Sequence, residues 1–394
     1  MDSALDLIKK ICVAKMTDLY TQYRPFKVAE ALYHEGYKCE IIGLGSVNGN
    51  AIPKKEGISI RIVDTIFNQY PPLFRPLRIF IKFFKYIIYM YKSRADIYCV
   101  HDVISIAITC IIKIFRPIRI VYIGDELEYS RTGDGHFISF RNFIVKGFLK
   151  IAFKYCDVIM QADISRARAL ADLYKLTNVY YLRNVADKKL HFEPINLRER
   201  FGLPSDTIIL LYHGTIGFGR GIEKIIQSLN ELDSSMHITF IIIGFGSKKY
   251  LKSLNQTIES NNNLKRKIII NNGVDSIAIW DWIAGADIGM AIIENTSLSY
   301  YLSAPSKLYE YMMAGVPVIV SDFPENKLVI NKSNCGLLID PDNIEELQKS
   351  INRLSQNNKL RNQLGNNGRR LALSTYNWEE EQKILIEVIK NIVS

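Results

Sequence analysis

A carboxylate one turn inside a short predicted helix is the first feature of this sequence that could bind a ligand. Pro305 suits the opening of a helix, and Gly315 followed by Pro317 marks its end. The N–H groups of the first turn have no carbonyl partner within the helix and form an anion site. These groups belong to Ser306, Lys307 and Leu308. Glu310 follows one turn on, where its carboxylate could accept two hydrogen bonds from a vicinal diol. A phosphate and a diol together are typical of a nucleotide.

The same residues allow a structural interpretation. Glu310 could be a solvated helix residue that pairs with Lys307 at the i,i+3 spacing. This short stretch alone leaves both interpretations open.

A glycine-rich segment, His213–Gly221, follows a predicted strand and leads into a predicted helix. Its glycines, among them Gly214 and Gly219, allow close backbone approach to a ligand, and Arg220 could contact phosphate with two parallel hydrogen bonds. A second glycine turn, with Gly244 and Gly246, is expected beside it at the same sheet edge. The segment is neither a Walker loop nor a Gly-x-Gly-x-x-Gly motif, which argues against hydride chemistry on NAD. The alternative is a mobile turn with an exposed arginine.

Strands and helices alternate along the chain, which predicts an α/β fold with parallel strands and crossover helices. The alternation restarts after a polar segment near residue 190. We therefore expect two tandem doubly wound, Rossmann-like domains facing a cleft, at 1–188 and 189–375, with a C-terminal helix at 376–394 crossing back to the first domain. Ligands in such folds bind beyond the carboxyl ends of the strands.

The composition is that of an ordinary globular protein of 394 residues, with 48% hydrophobic and 23% charged residues. Its 6 cysteines are scattered, which indicates a reducing compartment rather than a disulfide framework or metal site. The N-terminus lacks the pattern of a signal peptide, and no uncharged apolar run is long enough for a transmembrane helix.

The net charge of +10 admits nucleic acid, membrane or phosphorylated partners. Nucleic acid is not expected, because no basic and aromatic recognition motif is present. The segment 75–94 combines basic residues with aromatic and aliphatic ones and contains no acidic residue. Its basic residues include Arg75, Arg78, Lys82 and Lys85. Such a helix suits an anionic membrane surface, and the alternative is a core helix with a solvated basic edge.

Together these motifs resemble the retaining glycosyltransferases of family four (glycosyl transferases group 1), which have the GT-B fold. The resemblance rests on His213–Glu223, Ile243–Gly246, Ala286–Gly289 and Pro305–Val318, and more weakly on first-domain segments at 23–36, 96–102 and 182–187. It implies that Glu310 binds the ribose of a nucleotide sugar and that Arg220 neutralises the diphosphate. Ser306, Lys307 and Leu308 would donate to the same diphosphate. His101 would face the transferred sugar, and its alternative is a strand-end histidine with a structural partner in Asp102.

Three departures from the family pattern stand out. Leu302 occupies the position of the first of the two paired glutamates, so Glu294 in a longer loop is a candidate replacement. Thr215 replaces the basic residue that commonly follows the first glycine, which leaves Arg220 more of the phosphate charge. The usual Gly-Gly loop of the first domain is absent after Ala14.

The resemblance implies transfer on the front face of the sugar, with a leaving phosphate oxygen helping to take the acceptor proton. Fixed positive charge would stabilise the diphosphate, so neither a cofactor nor a metal is expected. Asp125 and Glu126 follow a predicted strand and, together with Asp102, would line the acceptor side. The alternative for Asp125 and Glu126 is a solvated loop.

We therefore expect a cytoplasmic hexosyltransferase that moves a sugar from UDP or GDP to a saccharide acceptor. A lipid-linked acceptor of bacterial surface polysaccharide synthesis, at the inner face of the plasma membrane, would suit segment 75–94. One alternative is a nucleotide-sugar epimerase or hydrolase of the same fold. Another is a catalytically weak nucleotide-sugar-binding subunit, to which Leu302 and Thr215 point.

Overall fold

The computed structural model describes residues 9–19, 23–45, 55–63, 75–131, 136–232, 237–271, 273–274 and 278–393, apart from the side chains of 75–78 and 136–137. The chain divides into two compact units. The first consists of Met1–Asn184 with Gln382–Ser394, and the second is Val185–Glu381. Helix α16 (Trp378–Val393) therefore begins within the second unit, and most of its length belongs to the first.

The first unit is built on a parallel sheet of 7 strands, in the order β3-β2-β1-β4-β5-β6-β7. The strands are β1 (Lys10–Asp18), β2 (Lys38–Leu44), β3 (Ser59–Val63), β4 (Ile97–Val100), β5 (Arg119–Gly124), β6 (Val158–Gln161) and β7 (Val179–Tyr181). The helices before α16 are α1 (Arg24–His34), α2 (Arg75–Ser93), α3 (Val103–Phe115), α4 (His136–Ala152) and α5 (Ile164–Tyr174).

The second unit is built on a parallel sheet of 6 strands, in the order β10-β9-β8-β11-β12-β13. The strands are β8 (Ile208–Ile216), β9 (Ile238–Gly246), β10 (Ile268–Asn271), β11 (Ile288–Ala291), β12 (Val318–Ser321) and β13 (Gly336–Ile339). The longer helices are α7 (Ile222–Glu231), α8 (Lys248–Glu259), α12 (Ser306–Ala314), α13 (Pro324–Ser333), α14 (Ile344–Gln356) and α15 (Asn358–Ser374). The shorter ones are α6 (Leu197–Arg200), α9 (Asn262–Lys267), α10 (Ile279–Ala284) and α11 (Leu298–Tyr301).

The central strands are covered on both faces, which explains why they read as continuous apolar runs in the sequence. Every residue of β4, β6, β11 and β12 is buried. In both sheets the strand order reverses beside the first strand of the unit, β1 or β8, as in doubly wound folds. The predicted fold class, two parallel-sheet α/β domains, is confirmed.

Two details differ from the sequence prediction. The edge strand β3 was not predicted, because Ser59–Val63 is short, only partly buried and carries Arg61. Strands β8 and β9 extend several residues further than predicted, so His213 and Gly244 lie within strands. Glycines suggested that these segments were loops, whereas parallel pairing to a neighbouring strand overrides that local preference.

The predicted basic helix at 75–94 is present as α2. Within the described ranges, none of the helices combines the length and apolar character needed to cross a membrane.

A buried carboxylate links the strands at the β3 edge of the first sheet. Glu40 on β2 is only 1% exposed and lies 2.8 Å from the Nζ of Lys10 on β1. It also pairs with Arg61 on β3 and accepts a hydrogen bond of 2.7 Å from the hydroxyl of Ser93 at the end of α2. One side chain thus connects three strands and a helix.

Replacing Glu40 with Ala should destabilise the first unit by about 1–3 kcal/mol, because the buried hydroxyl of Ser93 and two partly exposed cations lose their acceptor. Hydrogen exchange of peptides from β1, β2 and β3 would measure the loss. The exposed Glu56→Ala is the matched control. Unchanged protection in the Glu40 variant would show that this network does not stabilise the edge.

Candidate functional site

The site of the second unit begins where β8 and β9 run side by side at their carboxyl ends. Gly214 pairs with Gly244, and Ile216 pairs with Gly246. A Cβ added to Gly244 would lie 1.7 Å from the carbonyl oxygen of Gly214, so a side chain cannot be accommodated there. The two glycine segments therefore lie together, as predicted, but as paired strand ends rather than as free loops. Thr215, which follows Gly214 on β8, is exposed.

The turn after β8 carries the chain into α7 through two residues of positive φ, Gly219 at 75° and Gly221 at 69°. The N–H of Gly221, the residue that precedes this helix, donates to the carboxylate of Glu294 at 3.3 Å. Burial, together with the neighbouring Glu223, raises the pKa of Glu294 above its ordinary value. Glu294 therefore caps α7, and its predicted contact with a sugar remains a prediction.

Helix α12 brings the second set of groups to the same edge. It begins at Ser306 after Pro305 and ends at Gly315, whose φ of 76° is the left-handed cap predicted from the sequence. The N–H of Leu308 donates to the carbonyl of Pro305 at 2.9 Å, so this predicted donor is already engaged. Ser306 and Lys307 are the first-turn positions whose N–H groups precede any helical carbonyl partner.

Two cations converge at this edge. The side chain of Lys307 is buried, and its Nζ lies 4.2 Å from the centre of the Tyr212 ring. It also lies 3.9 Å from the position that a Cβ on Gly214 would occupy. The guanidinium of Arg220 lies 4.8 Å from the centre of the Tyr300 ring. Both cations are held over aromatic faces, which restricts their motion.

The pKa of Lys307 reflects this crowding. Burial lowers it, nearby Arg220 lowers it further, and Glu310 raises it, for a value of about 7. A buried ammonium beside another cation is poised to gain from a bound anion, because the anion would relieve both unfavourable effects.

Glu310 lies within the site and is largely buried. Its side chain is 25% exposed, and one carboxylate oxygen is 3.2 Å from Nε2 of His213. Burial, with the charge of Lys307, lowers the pKa of His213 to about 3, so the imidazole is neutral and the contact is not an ion pair. The ring of His213 packs edge-on against Tyr311. Glu310 is thus half-buried, and its charge acts on Lys307, as the alternative interpretation also expected.

His213 was not identified from the sequence as a site residue. The available signal was a histidine directly before the first glycine of a motif at a predicted strand end. That is the same kind of position as His101 in the first unit. Its imidazole lies in contact with the carboxylate of Glu310.

In the first unit, His101 lies at the carboxyl end of β4 and is 2% exposed. Within the described part of the chain, neither ring nitrogen has a hydrogen-bond partner. Burial lowers its pKa to about 3 despite the opposing effect of Asp125. The neutral imidazole can therefore donate one hydrogen bond and accept another.

The residues predicted beside His101 have distinct environments. The carboxylate of Asp102 caps α3 by accepting from the N–H groups of Ile104 and Ser105, and it also accepts from the N–H of Met16. It is therefore not the partner of His101. Glu126 is half-buried.

Asp125 is held by two cations that the sequence did not single out. Its oxygens lie 2.5 Å from Nζ of Lys15 and 2.5 Å from a guanidinium nitrogen of Arg24. Burial alone would raise the pKa of Asp125, but Arg24 and Lys15 outweigh it and hold the pKa well below its usual range. Such a carboxylate remains ionised and is a poor proton acceptor. Lys15 stands directly after Ala14, where the family's Gly-Gly loop was expected.

The structure gives no side-chain description of Arg75 and Arg78, whereas Lys82 and Lys85 are half-buried on α2. Among the described residues, histidine, cysteine and acidic side chains form no cluster of three or more that could hold a metal ion.

Comparison with known proteins identifies a family that matches most of the second unit. Residues 195–371 match the family described as glycosyl transferases group 1. The chain is 23% identical over 199 residues to the uncharacterized glycosyltransferase MJ1607 of Methanocaldococcus jannaschii, covering 50% of this chain and 48% of that protein. The chain thus aligns with about half the length of this relative.

Two solved structures share the fold. Sucrose-phosphate synthase from Thermosynechococcus elongatus superposes with a TM-score of 0.78 at 15% identity, over 98% of this chain and 99% of that one. Anabaena HepE in complex with UDP-glucose superposes with a TM-score of 0.76 at 14% identity, over 97% of this chain and 100% of that one. At this level of identity, the likeness establishes the GT-B fold.

Proposed function

We propose that this chain, whose residues 195–371 match the glycosyl transferases group 1, transfers a sugar from a UDP- or GDP-sugar to a saccharide acceptor. The proposal specifies a hexosyl donor and retention of configuration at the transferred carbon. It also specifies that no metal or cofactor takes part.

The observation that carries the proposal is the convergence of two cations and one carboxylate at a single edge of the second sheet. Lys307 and Arg220 lie close enough for the charge of Arg220 to lower the pKa of Lys307. Glu310 stands one turn beyond Lys307 on the same helix. A diphosphate suits the cations and a ribose diol suits the carboxylate, so the arrangement matches a nucleoside diphosphate.

The choice of donor follows from this chemistry and from one structural relative. HepE, which has the same fold, has been crystallised with UDP-glucose. We therefore take UDP-sugars as the first donors to test and GDP-sugars as the second.

In the proposed reaction, the bond between the sugar's anomeric carbon and the diphosphate oxygen breaks as the acceptor hydroxyl attacks the same face. The acceptor proton passes to a leaving phosphate oxygen, and the nucleoside diphosphate departs with the bonding electrons. Arg220 and Lys307 stabilise the negative charge that develops on that diphosphate. The neutral His101 would orient the transferred sugar, while Asp125 keeps Lys15 and Arg24 in place rather than acting as a base.

We further propose that the acceptor is a lipid-linked saccharide of bacterial surface polysaccharide synthesis, met at an anionic membrane surface. Helix α2 supports this part, because Phe80 and Phe84 are exposed on a helix whose charged residues are all basic.

Turnover of a panel of radiolabelled UDP- and GDP-sugars, with and without membrane lipid extract, tests the transfer. Product is expected in the presence of EDTA. Arg220→Ala should lower kcat by raising the activation free energy by roughly 2–4 kcal/mol, because the developing charge loses a counter-ion. Release of nucleotide without a glycosylated product would favour a hydrolase. Tight binding without turnover would favour a binding subunit.

Replacing Glu310 with Ala should weaken UDP binding by about 1–3 kcal/mol, because the ribose hydroxyls lose their acceptor. Isothermal titration should show no such loss for 2′,3′-dideoxy-UDP, which lacks the diol. The exposed Glu345→Ala is the control. An equal loss for both nucleotides would show that Glu310 does not hold the ribose.

The affinity for UDP-glucose should fall as the pH rises above about 7. Below this pKa Lys307 already carries its proton, whereas above it binding must take up a proton, since the diphosphate favours the charged form. The expected slope approaches about tenfold per pH unit until the pKa of the bound state is reached. Titration calorimetry in buffers of different ionisation enthalpy would count the proton.

Lys307→Met should remove both the slope and the proton uptake. A slope that persists in this variant would assign the titration to another group.

A further inference from the structure

Three neighbouring helices of the first unit share an unusual composition. Helices α2, α3 and α4 contain no aspartate or glutamate anywhere in their sequences. Their basic residues are Arg75, Arg78, Lys82, Lys85, Lys92, Lys113, Arg141, Lys146 and Lys150. Acid-free composition over three helices is not needed for folding, because solvated faces ordinarily mix both signs of charge.

The same helices expose large apolar side chains. On α4, Phe143 is 76% exposed, and on α3, Ile114 and Phe115 are 71% and 73% exposed. The other exposed apolar residues of the three helices are Ile79, Phe80, Phe83, Phe84, Ile88 and Tyr91 on α2, Ile104 and Ile111 on α3, and Phe140, Ile144 and Ile151 on α4. Scattered exposed apolar residues are normal, whereas so many on adjacent helices need an explanation.

These helices lie side by side. Helix α3 packs against α2 on one side and against α4 on the other. The guanidinium of Arg116, just after α3, stacks on Tyr91 of α2 and donates to its carbonyl. On the other side, Lys113 of α3 donates to the carbonyl of Tyr155, just beyond α4. The exposed residues therefore belong to one continuous surface, which we call the α2–α4 face.

The face is wide in both directions. Helices of 19, 13 and 17 residues are roughly 20–28 Å long at 1.5 Å per residue. Set side by side at roughly 8–10 Å, they form a face roughly 24–30 Å across.

We infer that the α2–α4 face docks as a unit on an anionic lipid bilayer, with its three helices in the plane of the membrane. This inference deepens the membrane part of the proposed function, which rested on α2 alone, by adding α3 and α4 to the docking surface. The exposed phenylalanines and isoleucines enter the boundary between headgroups and acyl chains. The lysines meet the lipid phosphates.

Charge selects this occupant over a second copy of the chain. Two α2–α4 faces brought together would set basic residues against basic residues, with no acidic side chain on any of the three helices to compensate. Acidic groups beside these helices are already engaged: Asp102 caps α3, Asp157 pairs with Lys113 and Arg119, and Glu128 pairs with Arg131 and Arg141. An anionic bilayer supplies the complementary charge and an apolar layer at once.

Co-sedimentation with vesicles tests the inference with variants on α3 and α4, away from α2. The full chain should pellet with vesicles of phosphatidylcholine and phosphatidylglycerol, and far less with phosphatidylcholine alone. The double variants Phe143→Ser/Ile144→Ser on α4 and Ile114→Ser/Phe115→Ser on α3 should each lower partitioning by about tenfold, because exposed side chains that enter the bilayer are removed. All four residues are exposed, so the fold should persist, and circular dichroism would verify this. Leu190→Ser, an exposed apolar residue of the second unit, is the matched control and should pellet as the wild type does.

Loss of pelleting only on changing α2 residues would overturn the three-helix face while leaving the α2 proposal intact. Analytical ultracentrifugation that shows a dimer broken by the α3 or α4 variants would identify a second copy as the occupant and overturn the inference. UDP-glucose binding, measured on the same variants, should be unchanged. Failure of every form to bind any nucleotide sugar, with vesicle binding intact, would count against the donor proposal alone.

Discussion

The candidate donor site depends on the cost of keeping two like charges close together in a largely buried place. Lys307 and Arg220 each rest over an aromatic ring, and burial with mutual repulsion lowers the pKa of the lysine to about 7. The fold maintains this unfavourable arrangement through the strand ends of β8 and β9 and the first turn of α12. A bound anion would convert the repulsion into attraction, so that energy spent in folding becomes available for binding.

The first unit also contains two neighbouring cations, but there a carboxylate neutralises them. Lys15 on β1 and Arg24 at the start of α1 are also buried cations, but Asp125 pairs with both and is held in its ionised form. The cations there stabilise a fixed carboxylate, and the neutral His101 beside them has ring nitrogens without hydrogen bonds to any described residue. The cations of the second unit are therefore arranged to gain from an anion, whereas those of the first unit are already neutralised.

Much of this could be predicted from the sequence, because the strongest signals were local. Continuous apolar runs and the left-handed cap at Gly315 are set by nearby residues, so the parallel sheets and α12 were predicted correctly. The capture of the α7 end by Glu294 was not, since it joins residues 73 positions apart. The ion pairs of Lys15 and Arg24 with Asp125 were not predicted for the same reason. The neighbours of a charged side chain depend on tertiary packing, which periodicity does not encode.

The pairing of Gly214 with Gly244 also constrains how the site can diversify. Gly244 cannot carry a side chain, because the carbonyl of Gly214 fills the space beside it, and the φ of 110° at Gly214 favours glycine there. Thr215 and Phe245 are opposite each other in the same register, and both are exposed. During divergence, we expect the glycine pair to be retained, whereas the adjacent exposed pair is free to vary without disturbing the sheet.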